Sequence, residues 1–188
     1  LRQVLVAQQI LQNVGNALSQ SSVPAIVAAP PRHGNTSPDK VAVAQPLVFH
    51  ADLPWTEQHI KALGIPAERT AGRTVITLGE DAEPVIAALC KVLQGLKLRA
   101  AIHEQNLRNA DRIRDAEGRL NPYKRKLIKI GEKGEAAEEL DPTPFPKTYK
   151  PGDANADADG FVVMPNVNRA VETAELQAAN EEYRLVRA

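Results

Sequence analysis

Residues 145–168 read FPKTYKPGDANADADGFVVMPNVN, and their order is more specific than that of any other stretch of the chain. Prolines and a glycine interrupt regular structure at its start. Asp and Asn side chains, which hydrogen-bond their own backbone in turns, then alternate with alanine up to Gly160. The pattern predicts a turn-rich acidic loop, a short apolar strand over residues 161–164 and a final helix capped by Asn166 or Asn168.

The acidic alternation has two physical interpretations. Asn155, Asp157 and Asp159 have the spacing of the first three ligands of an EF-hand calcium loop. Gly160 stands where that loop has its glycine, but Asn166 stands where the loop needs a bidentate Glu. The first three residues are therefore calcium candidates without an anchoring ligand. An acidic surface turn that holds no metal is the simpler interpretation.

The charge balance limits the class of partner. The chain has 188 residues, with 23 Lys and Arg against 23 Asp and Glu, so its formal net charge is zero. A neutral protein gains little from binding nucleic acid or an anionic membrane, and neither is expected as a partner. No apolar run approaches the roughly 20 residues that a spanning helix needs, so membrane insertion is not expected.

The residue types that carry common enzyme chemistry do not occur at useful spacings. The sequence contains no glycine-rich phosphate loop, no HExxH pair and no Cys–His pair at a catalytic spacing. Cys90 is the single cysteine, which excludes an intramolecular disulfide and a cysteine-based zinc site. We therefore expect no enzyme activity and no cofactor.

Hydrophobic periodicity predicts three amphipathic helices, over residues 1–20, 81–108 and 166–188. In the first helix, apolar residues recur in steps of three and four, with Leu11 and Val14 in the middle of the seam. Helices of this kind are marginal alone, so each stripe needs a partner. The predicted fold class is mainly α with small β parts. Long amphipathic helices form a coiled-coil-like bundle, with an irregular β and loop segment between them and a small α/β insert near the N-terminus.

Shifts in composition divide the chain into four parts. They are an N-terminal helix (1–20), a proline-rich linker (21–46), a small α/β insert (47–80) and a region of two helices joined by loops and strands (81–188). Within the insert, Asp52 is the predicted cap of a helix over residues 55–63. The charged stretch 131–142 is predicted to be a solvated loop.

Two motif blocks resemble those of a known family. Residues 151–168, with ADADG and MPNVN, are similar to the signature of the FlgC family of flagellar proximal-rod proteins. A second block, NLRNAD at 106–111 followed by NPYKRK at 121–126, resembles the turn after the N-terminal helix of that family. The blocks occur in the family's order, and the resemblance spans roughly residues 82–188.

The resemblance implies a structural subunit of the bacterial flagellar basal-body rod, which serves motility and is not an enzyme. In that family the terminal helices pack with copies of the same protein and with other rod and basal-body proteins, in a helical or ring-like stack. The subunits reach the periplasmic rod through the flagellar type III export apparatus without a cleaved signal peptide. The matching positions predict the assembly residues Asn106, Leu107, Asn109, Ala110, Asp111, Pro122, Tyr123, Gly160, Met164, Pro165, Asn166, Val167 and Asn168.

The chain also departs from the family pattern. Residues 1–80 precede the matching helix, Arg108 replaces a small residue of the turn, and the final helix is shorter than the family's. The seam of the first helix could compensate for the short final helix. On this hypothesis Leu11 and Val14 belong to the assembly surface, and replacing both with Asp abolishes assembly.

A second function class remains open at this point. The alternative is a small α/β module that binds a ligand or a protein, joined to a helical oligomerisation part whose acidic loop binds calcium. A calcium-dependent rise in melting temperature separates the two, because a ligand that binds only the folded form stabilises it.

Overall fold

The computed structural model describes residues 46–77 and 83–187. The predicted helix over residues 1–20, with Leu11 and Val14, lies outside the described residues. The described part contains three helices and seven strands. In chain order they are β1 (Pro46–Phe49), α1 (Pro54–Ala62), β2 (Ala67–Thr70), β3 (Arg73–Thr77), α2 (Glu83–Arg108), β4 (Lys126–Ile130), β5 (Ala136–Leu140), β6 (Lys147–Tyr149), β7 (Phe161–Val163) and α3 (Arg169–Arg187).

Residues 46–77, which we call the α/β module, form a three-stranded antiparallel sheet with α1 packed beside it. The strand order is β1–β3–β2. Thr74 in the central strand is fully buried. Its hydroxyl accepts the N–H of Leu53 at 3.0 Å and donates to the carbonyl of Ala51 at 2.9 Å. These two bonds hold the segment that leads from the sheet into α1.

The N-terminus of α1 is capped by a residue from a distant helix. The prediction of Asp52 as the cap is wrong, because Leu53 is the N-cap residue and makes no side-chain cap bond. The carboxylate of Glu182, in α3, accepts the N–H of Thr56 at 2.9 Å and its hydroxyl at 2.8 Å. A negative charge is favoured there by the unpaired N–H groups and the dipole of the helix.

The two halves of α2 have different neighbours. The N-terminal half packs its apolar side chains against the α/β module, because Leu53, Ile60 and Ile76 belong to the same buried cluster as Leu89 and Leu96. Burying an aliphatic side chain of this size contributes about 1.5–3 kcal/mol. Val186 of α3 belongs to this cluster as well. The C-terminal half of α2 also packs against α3, but polar side chains are buried there.

Two hairpins lie between α2 and α3. In the first, β4 pairs with β5 in antiparallel register, so the prediction that residues 131–142 are a solvated loop is wrong. Opposite charges lie on neighbouring strands, since Lys126 reaches Glu138 at 3.0 Å and Lys129 also pairs with Glu139. Such cross-strand pairs stabilise strands that carry many charges. The second hairpin pairs β6 with β7.

The predicted fold class is also wrong. Beside the helices, the described residues form three small sheets, and they contain no long coiled-coil bundle. A coiled coil places apolar side chains along the whole helix seam, whereas α2 buries Arg99, His103 and Asn106 in its C-terminal half. The periodicity of α2 predicts a helix with a buried stripe. It does not predict whether a helix or a sheet covers that stripe.

Gly95 lies where the α/β module comes closest to α2. A Cβ atom at this position would overlap the Trp55 ring and would lie 2.9 Å from Cε1 of His59. The Trp55 and His59 rings contact each other edge to face, with centroids 4.8 Å apart. Glycine in mid-helix is therefore explained by the close approach of these two rings.

We predict that Gly95→Ala destabilises the protein although alanine is the better helix former. Overpacking costs about 1–3 kcal/mol, against a propensity gain of about 1 kcal/mol. The expected net loss in the free energy of unfolding is about 1 kcal/mol, measured by urea unfolding. Gln94→Ala is the control, because Gln94 is exposed on the same helix. A Gly95→Ala protein more stable than its parent would contradict the close contact.

Candidate functional site

Asn106 is the centre of a buried polar network that joins α2 to the first hairpin and to α3. Its side-chain amide donates to the carbonyl of Lys126 at 2.8 Å and to the carboxylate of Glu172 at 2.9 Å. Its oxygen accepts the N–H of Lys126 at 3.0 Å and the hydroxyl of Tyr123 at 2.9 Å. An asparagine side chain offers two donors and two acceptor positions. Asn106 uses all four while it is fully buried.

Glu172, on α3, is the anionic member of the network and is fully buried. It accepts hydrogen bonds from Nδ1 of His103 at 2.7 Å, from Asn106, and from Nε of Arg125 at 2.6 Å. Burial opposes ionisation, but these three bonds outweigh it and hold the pKa of Glu172 below its ordinary value. Since the carboxylate can only accept, Nδ1 of His103 carries the proton in this contact.

The network continues through Arg125 to two further loops. Nη1 of Arg125 lies 3.2 Å from the carboxylate of Asp141, which follows β5. The backbone N–H of Arg125 donates to Oδ1 of Asn166 at 2.8 Å. The amide of Asn166 in turn donates to the hydroxyl of Thr143 at 2.9 Å. We give the name Glu172 network to seven of the residues that these bonds join: His103, Asn106, Tyr123, Arg125, Asp141, Asn166 and Glu172.

A second polar contact joins the α/β module to the helix pair. Arg99 of α2 lies between two acids of α3, with Nη2 2.5 Å from Glu175 and Nη1 3.6 Å from Glu182. Glu182 at the same time caps α1 through Thr56. One carboxylate therefore connects three helices, and it is only 5% exposed.

His59 of α1 joins the module to the first hairpin. Its Nε2 lies 2.6 Å from the carbonyl of Gly134, in the turn between β4 and β5, so Nε2 carries the proton and donates. Nδ1 is buried and has no hydrogen-bond partner among the residues that the structure describes. Burial lowers the pKa of His59, and a positive charge on Lys91 acts in the same direction, although the bond to Gly134 opposes them. The ring is thus held neutral.

The structure places several predicted assembly residues at the adjoining ends of α2 and α3. The amide of Asn109 donates to the carbonyl of Gln105 at 2.7 Å, at the C-terminus of α2. Asn168 caps α3, because its side chain accepts the N–H groups of Ala170 and Val171 at 3.0 and 3.2 Å. The other predicted residues in this region are half-buried Leu107, buried Ala110, and exposed Asp111, which forms an ion pair with Arg169.

The remaining predicted residues lie along the second hairpin and its exit toward α3. Gly160 has a positive φ of 83°, and it precedes β7 at the turn of the hairpin. The N–H of Met164 donates to the carbonyl of Pro146 at 2.9 Å and extends the pairing of β6 with β7. Pro165 is buried and Val167 is half-buried. Of the predicted residues that the structure describes, Asn106, Tyr123 and Asn166 come together in the Glu172 network, and the others do not.

The acidic loop uses its carboxylates to close turns. Asp153 accepts the N–H of Asn155 at 2.9 Å, and Asp157 accepts the N–H groups of Asp159 and Phe161 at 3.1 and 2.8 Å. The bond from the Phe161 N–H lowers the pKa of Asp157. Oδ1 of Asn155 accepts from Nε of Arg114 at 2.8 Å. No group of three His, Cys, Asp or Glu residues suited to a metal ion occurs in residues 46–77 and 83–187.

The sequence analysis did not select Glu172, Glu182 or Arg99, which carry the buried contacts. The sequence of the final helix contains a pattern that indicates the two acids. Buried Glu172, Ala179, Glu182 and Val186, with half-buried Glu175, follow the three-four spacing of a helix face. Acids on that face match the basic and amide residues at the same spacing on α2. A periodicity counted from apolar residues alone does not detect this face, because three of its five members are acids.

No protein-family model matches the chain. The flagellar basal-body rod protein FlgC of Agrobacterium fabrum is 32% identical over 114 residues, which cover 54% of this chain and 81% of that relative. The chain belongs to the FlgC family of flagellar basal-body rod proteins. FlgC of Bacillus subtilis is 26% identical over 115 residues, which cover 48% of this chain and 77% of that relative.

FlgC membership confirms the resemblance that the two motif blocks carry. The aligned sequence accounts for about half of the chain. The two relatives are named as rod proteins, and they lend no support to the alternative of a ligand-binding module with a calcium loop. For this FlgC chain, the buried network is an arrangement that holds helices and hairpins in fixed positions.

We predict that Glu172→Gln lowers the free energy of unfolding at pH 7 by about 3 kcal/mol, because Arg125 and His103 lose the charge of a buried partner. The pKa of Glu172 is lower in the folded chain than in the unfolded one. Its ionised form therefore stabilises the fold above about pH 4.5, and this contribution is lost as pH falls below that value. The difference in unfolding free energy between parent and variant, measured by urea unfolding, should therefore be smaller at about pH 3.5 than at pH 7.

Glu104→Gln is the control for this comparison, because Glu104 is exposed on α2 and pairs only loosely with Arg108 at 3.6 Å. It should leave the unfolding curve unchanged at both pH values. An equal effect of the two substitutions would show that the Glu172 network does not contribute to stability.

We predict that Glu182→Ala loosens the α/β module. The N–H and hydroxyl of Thr56 lose their acceptor, and the expected loss in unfolding free energy is about 3 kcal/mol. Trp55 is the single tryptophan, and its backbone N–H lies 3.3 Å from the carboxylate of Glu182, so its fluorescence in urea reports on this contact. Glu181→Ala, the exposed neighbour paired with Arg184, should leave the transition where it is. If the Glu182→Ala and Glu181→Ala proteins unfolded at the same urea concentration, the role of Glu182 would be contradicted.

Proposed function

We infer that this FlgC chain is a structural subunit of the proximal rod of the bacterial flagellar basal body. The inference rests on the sequence similarity of the chain to two flagellar basal-body rod proteins, which the alignments cover over most of their length. The buried Glu172 network supports it, since it holds the two family motif blocks in one arrangement. The chain acts in motility as a building element and has no catalytic function.

The chain assembles with other rod proteins and with copies of itself through helix packing. Support comes from the two faces of α3. The face with Glu172, Ala179 and Val186 is buried within the chain. A second stripe, with Val171 and Ala174 followed by Ala178, is exposed, and Val171 is 43% exposed. An exposed stripe of small apolar residues permits close approach of another helix, which suits a repeating contact between subunits.

The predicted assembly residues act in two ways. Asn106, Tyr123 and Asn166 are not contact residues; they position the loops that carry the family motifs. Asp111 is exposed, and Leu107, Met164 and Val167 are partly exposed, so these residues form the contact surface at the adjoining helix ends. Leu11 and Val14, which lie outside the described residues, are proposed assembly residues as well. The shape of that contact surface is supported by Gly160, Pro165, Asn109 and Asn168.

The chain has a two-part organisation in this proposal. The region that begins with α2 is the rod-building part, and the α/β module is an added unit that is held to it by Glu182 and His59. The rod-building part lies in the periplasmic segment of the basal body, where it arrives through flagellar type III export without a cleaved signal peptide. None of the described helices combines the length and apolar character required to cross a membrane.

The function is tested in the source bacterium after deletion of the chromosomal gene. We predict that the parent chain restores swimming in soft agar and that Val171→Asp with Ala178→Asp does not, because the charges prevent helix packing between subunits. Basal bodies imaged by electron microscopy should lack a complete rod in that strain. Both positions are exposed, so the melting temperature of the purified variant should stay within a few degrees of the parent.

Asn180→Asp is the matched control. Asn180 is exposed and lies two positions after Ala178, about 200° around the helix, so it faces away from the stripe. It should restore swimming as well as the parent does. Full swimming with the double Asp variant would contradict the assembly surface, and a motile deletion strain would contradict the rod function itself.

A further inference from the structure

The turn between β4 and β5 is held against the α/β module by one polar contact and one apolar contact. Gly134, in this turn, is buried and has a positive φ of 72°. Its carbonyl accepts from Nε2 of His59 at 2.6 Å. A Cβ atom on Gly134 would overlap the Leu63 side chain, so Leu63 packs directly on the glycine backbone. Both contacts are made by residues at the C-terminal end of α1.

The other ring nitrogen of His59 lies in a tight, dry place. The residue is 1% exposed, and Nδ1 has no hydrogen-bond partner in the part of the chain that the structure describes. A Cβ atom placed on Gly95 of α2 would lie only 3.1 Å from Nδ1. Trp55 contacts the ring edge to face. A proton added to Nδ1 would therefore create a buried, charged donor without an acceptor, which is costly.

The charged groups around His59 do not compensate for a positive ring. Burial lowers the pKa of His59, and the positive charge of Lys91 on α2 acts in the same direction. Two further cations lie nearby, since Arg99 of α2 is 6.0 Å from the centroid of the Trp55 ring and Lys133 is exposed in the turn. The acids of the neighbouring elements are paired within the chain or exposed to water: Glu57 in α1, Glu182 in α3, and Glu132 and Glu135 in the turn.

A groove of about 450 Å³ lies beside this contact, between α2 and the turn. Gly95 and Gly134, which both contact His59, are part of its walls. Exposed Lys91 on one wall and exposed Lys133 on the other show that water has access to the groove. Nδ1 of His59 reaches this water only when the ring leaves its place against Gly95. Since the ring is rigid, this movement also breaks the bond from Nε2 to Gly134.

We propose that the contact between His59 and Gly134 is sensitive to acid, and that protonation of His59 releases the β4–β5 turn from the α/β module. The neutral ring holds the turn, and the doubly protonated ring moves into the groove, where water solvates both N–H groups. The C-terminal end of α1 opens with the turn. The N-terminal end stays in place, because Glu182 still accepts from Thr56. This response to pH is a regulatory property beyond the proposed rod function.

The direction of the pKa shift sets the pH range of the release. The pKa of His59 is lower in the closed arrangement than in an open one, where the ring has its ordinary pKa of about 6.5. The closed arrangement is therefore fully stable above about pH 6.5 and loses stability as pH falls below that value. One proton changes the opening equilibrium by at most about tenfold per pH unit. The carboxylate of Glu172 is neutralised only below about pH 4.5, so the two responses are separate.

Amide hydrogen exchange of the full chain at pH 7 and pH 5 tests the proposal. Exchange is expressed as a protection factor, which corrects for the effect of pH on the intrinsic rate. The amide of Gly134 donates to the carbonyl of Gly131 at 3.0 Å, and its protection factor should fall about tenfold at pH 5. The amide of Met164, which donates to Pro146 in the second hairpin, should keep its protection factor and is the internal reference.

Two histidine variants assign the response to one ring. His59→Gln keeps an N–H donor for Gly134 but cannot gain a proton, so Gly134 should be equally protected at both pH values. His50→Gln is the matched control, because His50 is exposed directly after β1 in the same module, and this variant should respond as the parent does. If His59→Gln does not fold, an NMR titration of the parent decides the question, and the His59 ring should titrate below about pH 6.5.

Four results would overturn the proposal. Unchanged protection of Gly134 in the parent at pH 5 would show that the turn is not released. An equal loss of protection in His59→Gln would assign the response to another group. A parallel loss at Met164 would show that the whole chain unfolds. A His59 ring that titrates above about pH 6.5 would show that the folded chain does not disfavour its protonation. Each of these results would leave the rod function standing, because swimming tests that function separately.

Discussion

The arrangement of this chain depends on the complete hydrogen bonding of one buried amide. Asn106 contacts α3 through Glu172, the first hairpin through Lys126 and the preceding turn through Tyr123. A buried polar group that loses its partners costs about 1–3 kcal/mol, so these elements cannot shift independently. The same requirement holds for Glu172, whose charge is tolerated without solvent only because three donors surround it. The helix pair and the hairpin therefore have one defined relative position.

A polar seam has consequences for assembly. Apolar seams allow helices to slide and exchange partners, whereas the Arg99–Glu175 and His103–Glu172 contacts allow one register of α2 against α3. A face of α3 that flanks this contact carries the exposed small apolar residues Val171, Ala174 and Ala178 instead. Paired polar groups therefore define the contact between α2 and α3, whereas the exposed stripe of α3 that is available to another subunit is apolar. Glu182 and His59 hold the α/β module against α3 and the first hairpin.

Sequence reasoning identified the family, but it identified only part of the site. The motif blocks led to the FlgC family, and periodicity located α2 and α3 within a few residues. Asn106, Tyr123 and Asn166 were selected as contact residues, yet the first two are buried and all three bond within the chain. A motif shows that a residue is required but not which way it points. The charged strand β5 was missed because its stabilising lysines lie on another strand.

The sequence by itself determined the helices, the turns around the acidic loop and the family, because these follow from spacings along the chain. Asn168 as a helix cap and the turn-closing Asp153 and Asp157 are local features of this kind. Only the tertiary structure decided which face of α3 is buried, where Glu182 finds its partners and why Gly95 has no side chain. Those outcomes depend on contacts between residues far apart in sequence, such as Glu182 with Thr56, and the spacing of residues along one helix does not identify such partners.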